Sequence, residues 1–322
     1  MKKELSYYER IIMIDEIKKI FEKEIESRLD LVKVSCPLFV KATSGLQDQL
    51  SGIEKAVVFT KEGESFEVVH SLAKWKRVAL GKYHFKPYKG LLTDMKAIRK
   101  DEDVDDIHSL YVEQWDWEKV IMKSDRTIDY LKDTVRSIYK AIRGVSIIMR
   151  KKHPFLEISL PKTITFITSQ ELEDMYPDKD PKEREELITR EKEAVFIIGI
   201  GDKLRSGKAH DKRSPDYDDW QLDGDLLIYD KSLDKAIEMT SMGIRVDKDS
   251  LIEQLEKSGC TDRMKYDYHQ KIIKEEIPYT IGGGIGQSRL TMLILGSKHI
   301  AEVQASSWQE KTYQELTKLS IL

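Results

Sequence analysis

The chain has 322 residues, 40% of them hydrophobic and 34% charged, and carries a net charge of −3 at pH 7. This length and apolar content suffice for one sizeable core. The balanced charge argues against a large nucleic-acid footprint, which normally shows as clustered Lys and Arg. The N-terminus is too charged for a signal peptide, and no apolar run approaches the ~18 residues of a membrane span. These features predict a soluble, cytoplasmic protein without a nucleic-acid or membrane partner.

The two cysteines, Cys36 and Cys260, stand far apart in the sequence. They indicate neither a zinc site nor a disulfide framework. The histidines are scattered and form no HExxH arrangement. A metal held by His and Cys is therefore not expected.

Helical and strand-like segments follow one another irregularly along the chain. Apolar residues recur at helical spacing over 7–30, which predicts one amphipathic helix packed on its own domain or on another subunit. Further helices are predicted over 71–80, 125–150, 181–192, 250–256, 262–276 and 286–295. Strands are predicted over 56–60, 66–70, 91–99, 108–117, 165–168, 194–200, 225–229 and 237–246.

The order of these elements predicts the fold class. Strand pairs with helical inserts, rather than strands alternating with regular helices, are typical of an α+β fold with a largely antiparallel sheet. No repeat, low-complexity tract or Pro/Gly/Ser-rich linker divides the chain. We therefore expect a single domain over 1–322.

An arginine and two polar residues on a predicted strand pair form the first candidate site. Arg99 ends one strand, the acidic loop 101–106 follows, and the returning strand carries Gln114 and Asp116. The last two stand two positions apart, so they project to the same face. Arginine binds phosphate through a planar fork that lysine cannot reproduce. The pair of strands suits a phosphate together with a zwitterion, and a solvated hairpin is the alternative.

A glycine-rich segment precedes the last predicted helix. Gly282, Gly284 and their glycine neighbours run into an apolar helix that carries Arg289. Glycines let a backbone approach a ligand closely, and a helix start offers N–H groups to an anion. The segment is neither a P-loop nor a dinucleotide fingerprint, since it lacks GxxxxGK[ST] and has Gln at 287. A tight strand-to-helix turn is the alternative.

Acidic residues on neighbouring predicted strands form a third candidate. Asp225 and Glu238 offer carboxylate oxygens, which are the ligands that Mg²⁺ prefers. Ordinary alternation of polar residues on a half-buried sheet is the alternative.

In this order, the segments resemble motifs 2 and 3 of the class II aminoacyl-tRNA synthetases, closest to the aspartyl and asparaginyl enzymes. A stronger resemblance, over nearly the whole chain, is to the aspartate–ammonia ligases, the ammonia-using asparagine synthetases. It is carried by segments 47–52, 68–77, 114–118, 169–171, 214–220, 241–247 and 282–289. Segment 219–225 is shorter than in many members of that family.

The resemblance implies a class II synthetase-like antiparallel sheet flanked by helices. It implies an enzyme that joins L-aspartate and ammonia into L-asparagine through β-aspartyl-AMP, with ATP and Mg²⁺, releasing AMP and pyrophosphate. It further implies a homodimer, to which helix 1–30 and stretch 31–51 would contribute. The chain shows no N-terminal Cys nucleophile or second domain for glutamine hydrolysis, so free ammonia is the expected nitrogen donor.

The resemblance also implies which residues hold aspartate. In the aspartyl synthetases, the counterparts of Lys76 and Arg245 hold the side-chain carboxylate while the α-carboxylate is activated. Asparagine synthesis has to activate the other end, so Lys76 and Arg245 are expected to grip the α-carboxylate here. Asp48, Asp116 or both would bind the α-ammonium group, and Ser241 would line the same pocket. Charges at both ends would reject neutral analogues, because unpaired buried charges are costly.

Four positions are implied at the nucleotide. Arg99 is expected to grip the α-phosphate and to stabilise the charge that develops there. Arg289 is expected to stack on adenine or to bind the γ-phosphate. Gly282 and Gly284 would complete the ATP site.

Four more positions are implied at the metal and at the reacting groups. Asp225 and Glu238 would carry Mg²⁺, and Gln114 would hydrogen-bond the substrate or the acyl phosphate. Asp218 would lie near the ammonia entry and help to deprotonate ammonium.

Neighbouring residues are given no role in the chemistry. Lys74 and Arg77 stand beside Lys76 on one predicted helix and are expected to be solvated, and a surface position is the alternative for Lys76 as well. His70 is interpreted as a strand-end histidine with satisfied hydrogen bonds rather than as a catalytic base.

Two other functions compete with the ligase. A synthetase-like transferase would share the adenylation chemistry and pass aspartate to an RNA or a protein. The aspartyl synthetases carry an N-terminal OB barrel, for which the helix over the first thirty residues leaves no room. A non-catalytic binding protein on the same fold would be expected to lack Arg99 or Arg289, and both are present.

Overall fold

The computed structural model describes residues 5–50, 54–316 and 321–322. Ser51 and Gly52, which end the segment 47–52 of the family resemblance, lie outside the described residues. The strands are β1 Leu31–Lys33, β2 Phe39–Lys41, β3 Val58–Lys61, β4 Glu64–Val68, β5 Gly90–Ile98, β6 Tyr111–Val120, β7 Thr165–Thr168, β8 Ala194–Ile198, β9 Asp218–Asp230, β10 Lys235–Arg245 and β11 Thr280–Gly286. The α-helices are α1 Tyr7–Leu29, α2 Ala73–Lys82, α3 Ile128–Lys152, α4 Ser169–Met175, α5 Pro181–Lys192, α6 Lys248–Lys257, α7 Asp267–Ile273, α8 Gln287–Leu295 and α9 Glu310–Glu315.

Within the described ranges, eight strands form one sheet in the order β1-β5-β6-β11-β10-β9-β8-β7. Every neighbouring pair from β5 to β8 is antiparallel, while the two edge pairs, β1 with β5 and β7 with β8, are parallel. A separate antiparallel sheet has the order β2-β4-β3. The prediction of an α+β fold with a largely antiparallel sheet is confirmed.

Strand alternation in β6 separates a core face from a polar face. Trp115 and Trp117 are fully buried in the hydrophobic core, and the Trp115 ring lies 4.5 Å from that of Phe21 on α1. Gln114 and Asp116 project to the opposite face, as predicted from their spacing. The central sheet therefore turns its polar residues away from the helices that cover its core face.

The first helix packs on its own chain. It starts at a capping box made by Ser6 and Glu9, and its buried apolar side chains pack against α3, α8 and β1. Burying each such side chain contributes about 1.5–3 kcal/mol. Its outer face keeps Tyr8 and Ile11 exposed.

No helix in the described ranges combines the length and the apolar character needed to cross a lipid bilayer.

Strand β10 contains a bulge that changes which residues face the core. Its register against β9 shifts between Glu238 and Thr240. Ile237 lies in the core before the bulge, and Met242 lies in the core after it. Since side chains alternate along a strand, the bulge lets Glu238 and Ser241 share the polar face.

Three differences from the predicted elements matter for the site. The glycine-rich segment 280–286, for which no strand was predicted, is strand β11, between β6 and β10. Segments 31–33 and 39–41 are short strands that were not predicted. The predicted helix 262–276 divides into a 3₁₀ turn, Thr261–Lys265, and α7.

Candidate active site

The polar face of the central strands borders a cavity of about 350 Å³. Its walls come from loop 48–50, α2, the loop between β5 and β6, segment 211–218, β10, β11 and the start of α8. The predicted site residues that line it are Asp48, Lys76, Arg99, Gln114, Asp116, Asp218, Glu238, Ser241, Arg245, Gly284 and Arg289. The fold thus brings these residues together from distant parts of the sequence. Gly282 and Asp225 lie just behind the wall.

One end of the cavity holds a buried lysine–aspartate pair. Lys76 on α2 is 1% exposed, so the alternative of a surface lysine is wrong. Its Nζ donates a hydrogen bond to the Gly283 carbonyl oxygen at 2.9 Å and lies 3.2 Å from Oδ2 of Asp116. Oδ1 of Asp116 is buried and has no partner. A positive and a negative group therefore stand side by side at this wall.

Arg245 forms the centre of a second buried cluster at the same end. Its Nε and Nη2 donate to Glu118 at 3.0 and 2.7 Å, and its Nη1 donates to Asp218. Thr280 Oγ1 donates to Glu118 at 2.7 Å, and the Tyr217 ring lies 5.6 Å from the guanidinium carbon. Five N–H groups are available to an arginine, so two remain for a ligand.

Burial and these charges shift the pKa values of Glu118 and Asp218 in opposite directions. Burial opposes the charged form of Glu118, but Arg245 and Lys76 hold its pKa below the ordinary value. Burial raises the pKa of Asp218, and the negative charge of Glu118 adds to this against the effect of Arg245. The cluster has one guanidinium between two carboxyl groups.

Asp48 lies beside this end on the loop that follows β2. Its Oδ1 accepts a hydrogen bond from the Leu50 backbone N–H at 2.9 Å, and its Oδ2 accepts from Ser71 Oγ at 2.6 Å. Its backbone oxygen lies 2.9 Å from Nδ1 of His70. The side chain is 2% exposed. These bonds fix the carboxylate toward the cavity wall.

The expectation that Lys74 and Arg77 are solvated is wrong. Lys74 Nζ lies 2.8 Å from Oδ2 of Asp216, which also contacts His269 Nε2 at 3.1 Å and Arg263 Nη1 at 3.2 Å. Arg77 is buried and donates to two backbone carbonyls. Burial opposes the charge on Asp216, but Lys74, His269 and Arg263 hold its pKa far below the ordinary range. This cluster ties α2 to segment 214–218 and α7 behind the cavity.

The other end of the cavity presents two arginines. Arg99 Nη2 donates to the His70 carbonyl at 3.4 Å, and Arg289 Nη1 donates to the Glu238 carbonyl at 3.0 Å. In the described chain, neither guanidinium forms an ion pair with a carboxylate. Both side chains are half-buried. Two positive charges with only backbone partners suit a polyphosphate.

Asp225 and Glu238 flank this end. Glu238 lines the cavity, while Asp225 is covered by Arg213, which forms an ion pair with it. Burial, with repulsion from Glu238, raises the pKa of Asp225 to about 7 against the effect of Arg213. Burial opposes the charge on Glu238, yet Arg289, Arg213 and other cations keep its pKa below the ordinary value. The two carboxyl groups therefore interact through their charges.

The donor set at these carboxylates fits one kind of metal site. No group of three or more His, Cys, Asp or Glu that could hold a metal occurs among the described residues. Mg²⁺ is usually bound through one or two carboxylates together with waters and substrate phosphates. Asp225 retains a buried oxygen, Oδ1, without a partner. Asp225 and Glu238 thus fit Mg²⁺ provided that a ligand supplies further oxygens.

The glycines of β11 create space for charged side chains. A Cβ at Gly284 would lie 2.6 Å from Oδ1 of Asp116 and from Oε1 of Gln114. A Cβ at Gly282 would overlap Glu118 and stand 2.7 Å from Nη2 of Arg245. The glycines form a central strand that runs into α8, and their missing side chains leave room for the polar residues of β6. The binding of an anion by this segment stays a prediction.

Comparison with known proteins identifies the family. Residues 8–320 match the family model described as aspartate–ammonia ligase. The chain is 51% identical to an aspartate–ammonia ligase of Clostridium tetani, covering 96% of this chain and 92% of that protein. It is 54% identical to one of Clostridium perfringens, covering 95% and 92%. The chain belongs to the aspartate–ammonia ligase family.

Solved structures similar to this ligase are tRNA synthetases. The asparaginyl-tRNA synthetase of Pyrococcus horikoshii, complexed with asparaginyl-adenylate, matches with a TM-score of 0.67 at 14% identity, covering 92% of this chain and 68% of that one. The Entamoeba histolytica enzyme with the same adenylate gives 0.64 at 16%, covering 92% and 66%. At this identity, the likeness confirms the class II synthetase-like fold.

Sequence reasoning missed three charged residues of this ligase's site. Glu118 continues the two-residue spacing of Gln114 and Asp116 on β6, and that spacing was the signal that could have found it. Arg213 and Asp216 belong to the segment 214–220 or adjoin it, but nothing in their spacing indicates which carboxylate or cation each one meets.

Proposed function

We propose that this chain converts L-aspartate, ammonia and ATP into L-asparagine, AMP and pyrophosphate through β-aspartyl-AMP. One observation carries the proposal. A single cavity joins an end of paired opposite charges, suited to an amino-acid zwitterion, to an end with two arginines that meet no carboxylate in the described chain. Family membership supports the same reaction.

Aspartate binds at the paired end with its backbone groups inward. Lys76 and the two remaining N–H groups of Arg245 grip the α-carboxylate. Asp116, through its unpartnered Oδ1, and Asp48 hold the α-ammonium group. Ser241 lines the wall nearby. The β-carboxylate then points toward Arg99.

ATP binds at the other end. Arg99 grips the α-phosphate, Arg289 binds adenine or the γ-phosphate, and Gln114 hydrogen-bonds the acyl phosphate at the junction. Gly284 leaves room for the side chains of Gln114 and Asp116. Gly282 contributes differently from its predicted contact with ATP: it makes room for the bond between Arg245 and Glu118.

Asp225 and Glu238 hold Mg²⁺ together with the phosphates. The ion, when bound, supplies positive charge to the departing pyrophosphate. Asp225 is reached only after Arg213 releases it, so Arg213 is expected to turn toward the phosphates when ATP binds.

The chemistry needs positioned charges more than bond-making protein groups. An oxygen of the β-carboxylate forms a bond to the α-phosphorus while the bond from that phosphorus to pyrophosphate breaks. Ammonia nitrogen then bonds to the β-carbon while the carbon–oxygen bond to AMP breaks. The ion pair with Arg245 supports a role for Asp218 in holding that arginine, in place of the predicted deprotonation of ammonium.

We also propose a homodimer. Exposed apolar side chains on the outer face of α1 and on β1, including Tyr8, Ile11 and Val32, support a contact there. Size-exclusion chromatography with light scattering is expected to give twice the mass of one chain. A mass near 37.5 kDa would contradict the dimer.

Formation of AMP and asparagine tests the reaction. Aspartate, ATP and Mg²⁺ are incubated with ammonium, with glutamine, or with neither. Asparagine and AMP are expected to rise one-to-one, and only with ammonium. Aspartate-dependent ATP–pyrophosphate exchange without asparagine under any donor would instead identify a transferase that passes aspartate to an RNA or a protein.

A further inference from the structure

A second, smaller cavity adjoins the first one beside Arg99. Its volume is about 60 Å³, and it shares Leu50, Glu54, Arg99 and Glu102 with the large cavity. The share of one water in the liquid is about 30 Å³, so one or two small molecules fit. Its inner wall includes the buried His70, and its rim includes exposed residues of segments 55 and 100–101. It therefore lies between exposed residues and Arg99, beside the large cavity.

His70 keeps a buried nitrogen without a partner. The residue is 1% exposed, and its Nδ1 lies 2.9 Å from the backbone oxygen of Asp48. A carbonyl oxygen only accepts, so Nδ1 carries the hydrogen and Nε2 of the neutral ring presents a lone pair. Nε2 is buried and makes no hydrogen bond within residues 5–50, 54–316 and 321–322.

Arg99 has a complementary orphan group. Its Nε–H is buried and meets no hydrogen-bond partner among the residues that the structure describes. His70 and Arg99 line the same small cavity and touch through the bond from Arg99 Nη2 to the His70 carbonyl oxygen. One donor and one acceptor of two residues that line the same small cavity are thus left unsatisfied by the described chain, which costs free energy unless a ligand meets them.

The chemistry of the cavity selects its ligand. A small molecule that accepts from Nε–H and donates to Nε2 satisfies both groups, as neutral ammonia and water do. Ammonium has no lone pair and cannot accept. The charged lining residues also balance, since Glu54, Asp101 and Glu102 oppose Lys55, Arg99 and Lys100. A neutral ligand matches this environment.

We infer that the small cavity is the ammonia site, in which neutral ammonia is held between Nε2 of His70 and Nε of Arg99. This inference rests on the proposed function. ATP and aspartate fill the large cavity, so ammonia needs another approach. Arg99 holds the α-phosphate, which is one oxygen away from the β-carbon of aspartyl-AMP. The ammonia site therefore lies next to the reacting carbon.

His70 is then a catalytic residue for the second half-reaction. The hydrogen bond from Arg99 Nε–H to ammonia breaks first and frees the nitrogen lone pair. That lone pair forms the bond to the β-carbon, and the carbon–oxygen bond to AMP breaks with its electron pair leaving on the phosphate oxygen. The nitrogen loses one proton to Nε2 of His70, which later releases it to solvent. The adenylation half-reaction does not involve His70.

The substitution His70→Asn distinguishes the role of Nε2 from that of Nδ1. The asparagine amide can still donate to the Asp48 carbonyl where Nδ1 did, but nothing replaces Nε2. We expect the KM for ammonium to rise about tenfold, the effect of losing one hydrogen bond of ordinary strength, and kcat for asparagine formation to fall. Aspartate-dependent ATP–pyrophosphate exchange, measured without ammonium, is expected to stay within about twofold of the unaltered chain.

His70→Leu gives a second variant, and His153→Asn gives the matched control. His153 directly follows α3 and pairs with Glu16 on α1, and it lines neither cavity. Its loss is expected to leave the rates of exchange and of asparagine formation unchanged. An unchanged ammonium KM in both His70 variants would overturn the ammonia site. An equal loss of exchange and of asparagine formation would also overturn it, because His70 would then act by holding Asp48. Absence of both activities in the unaltered chain would refute the proposed function instead.

Discussion

The two ends of the large cavity differ in whether their charged side chains form ion pairs. At the aspartate end, Lys76 meets Asp116 and Arg245 meets Glu118 and Asp218, all at 3% exposure or less. At the phosphate end, Arg99 and Arg289 are half-buried and contact backbone carbonyls.

This difference shows which end is formed before a ligand arrives. A buried charge is tolerable only when it is paired, so the aspartate end holds its own geometry through mutual ion pairs. The two arginines are half-buried and form no ion pair within the described chain, as the proposed phosphate site requires. Substitutions at the two ends should therefore fail in different ways, through stability at one end and through the rate of adenylation at the other.

The largest expected effect is at the phosphate end. Arg99→Met is expected to lower aspartate-dependent ATP–pyrophosphate exchange about 10²–10³-fold, because one preorganised donor to the developing charge is lost. Its free energy of unfolding should change little, since no ion pair is broken. The exposed Arg136→Met is the control. An exchange rate within tenfold of that of the unaltered chain would contradict the proposed contact between Arg99 and the α-phosphate.

At the aspartate end, Glu118→Gln is expected to lower the free energy of unfolding of the chain. The variant leaves the buried Arg245 with one carboxylate partner and should lower the free energy of unfolding by about 3–5 kcal/mol. Urea denaturation measures this. A loss below about 1 kcal/mol would mean that this end is not held by its ion pairs.

The cluster behind the aspartate end gives a dependence on pH. The pKa of Asp216 in the folded chain lies far below the ~3.9 of an unfolded chain, so its contribution to stability is complete above about pH 5 and is lost as the pH falls below about 4. Asp216→Asn should cost about 2–3 kcal/mol at pH 7, and the difference from the unaltered chain should shrink at pH 3. A difference that is constant with pH would contradict this.

Gly284→Ala tests the space between the two ends. The new methyl group would lie 2.6 Å from Asp116 and Gln114 and has to displace them. The KM for aspartate is expected to rise about tenfold, a smaller effect because the two contacted oxygen atoms are the ends of side chains rather than backbone and can move aside. Gly144→Ala, inside α3 and away from the cavity, is the control; its Cβ would lie 3.1 Å from Oε2 of Glu24, the end of a side chain, and the KM for aspartate should not change. Steady-state kinetics of both variants decide the matter.

The smallest effect is expected on the surface. Asp15→Asn removes an exposed pair with Lys19 on α1. The free energy of unfolding should change by no more than about 0.5 kcal/mol, measured beside Glu118→Gln. A larger loss would remove the contrast between buried and exposed pairs on which the comparison depends.

Sequence reasoning predicted the fold class and most of the cavity, because spacing along β6 and short motifs report which side chains share a face. It missed what depends on partners distant in the sequence. Helix α2 carries Lys74, Lys76 and Arg77, a pattern typical of a solvated helix, yet the carboxylate and carbonyl groups that receive these cations come from segments 116, 216, 246, 278 and 283.

Strand β11 shows the same limit for backbone structure. Its glycines have low intrinsic preference for a strand, and pairing with β6 and β10 decides the outcome. From the sequence, His70 was interpreted as a histidine with satisfied hydrogen bonds. Only the structure shows that Nε2 is buried without a hydrogen-bond partner among the described residues.

The bulge in β10 limits how this strand can change in length. Glu238 before it and Ser241 after it face the cavity, and Ile237 and Met242 face the core. Loss of one residue at the bulge would reverse the facing of every side chain on one side of it. Either the part of the strand with Glu238 or the part with Ser241 would then turn apolar side chains to the cavity and polar side chains to the core. Homologues that retain the reaction should therefore vary the composition of this strand freely at its exposed positions, but should never vary the number of residues between Glu238 and Arg245.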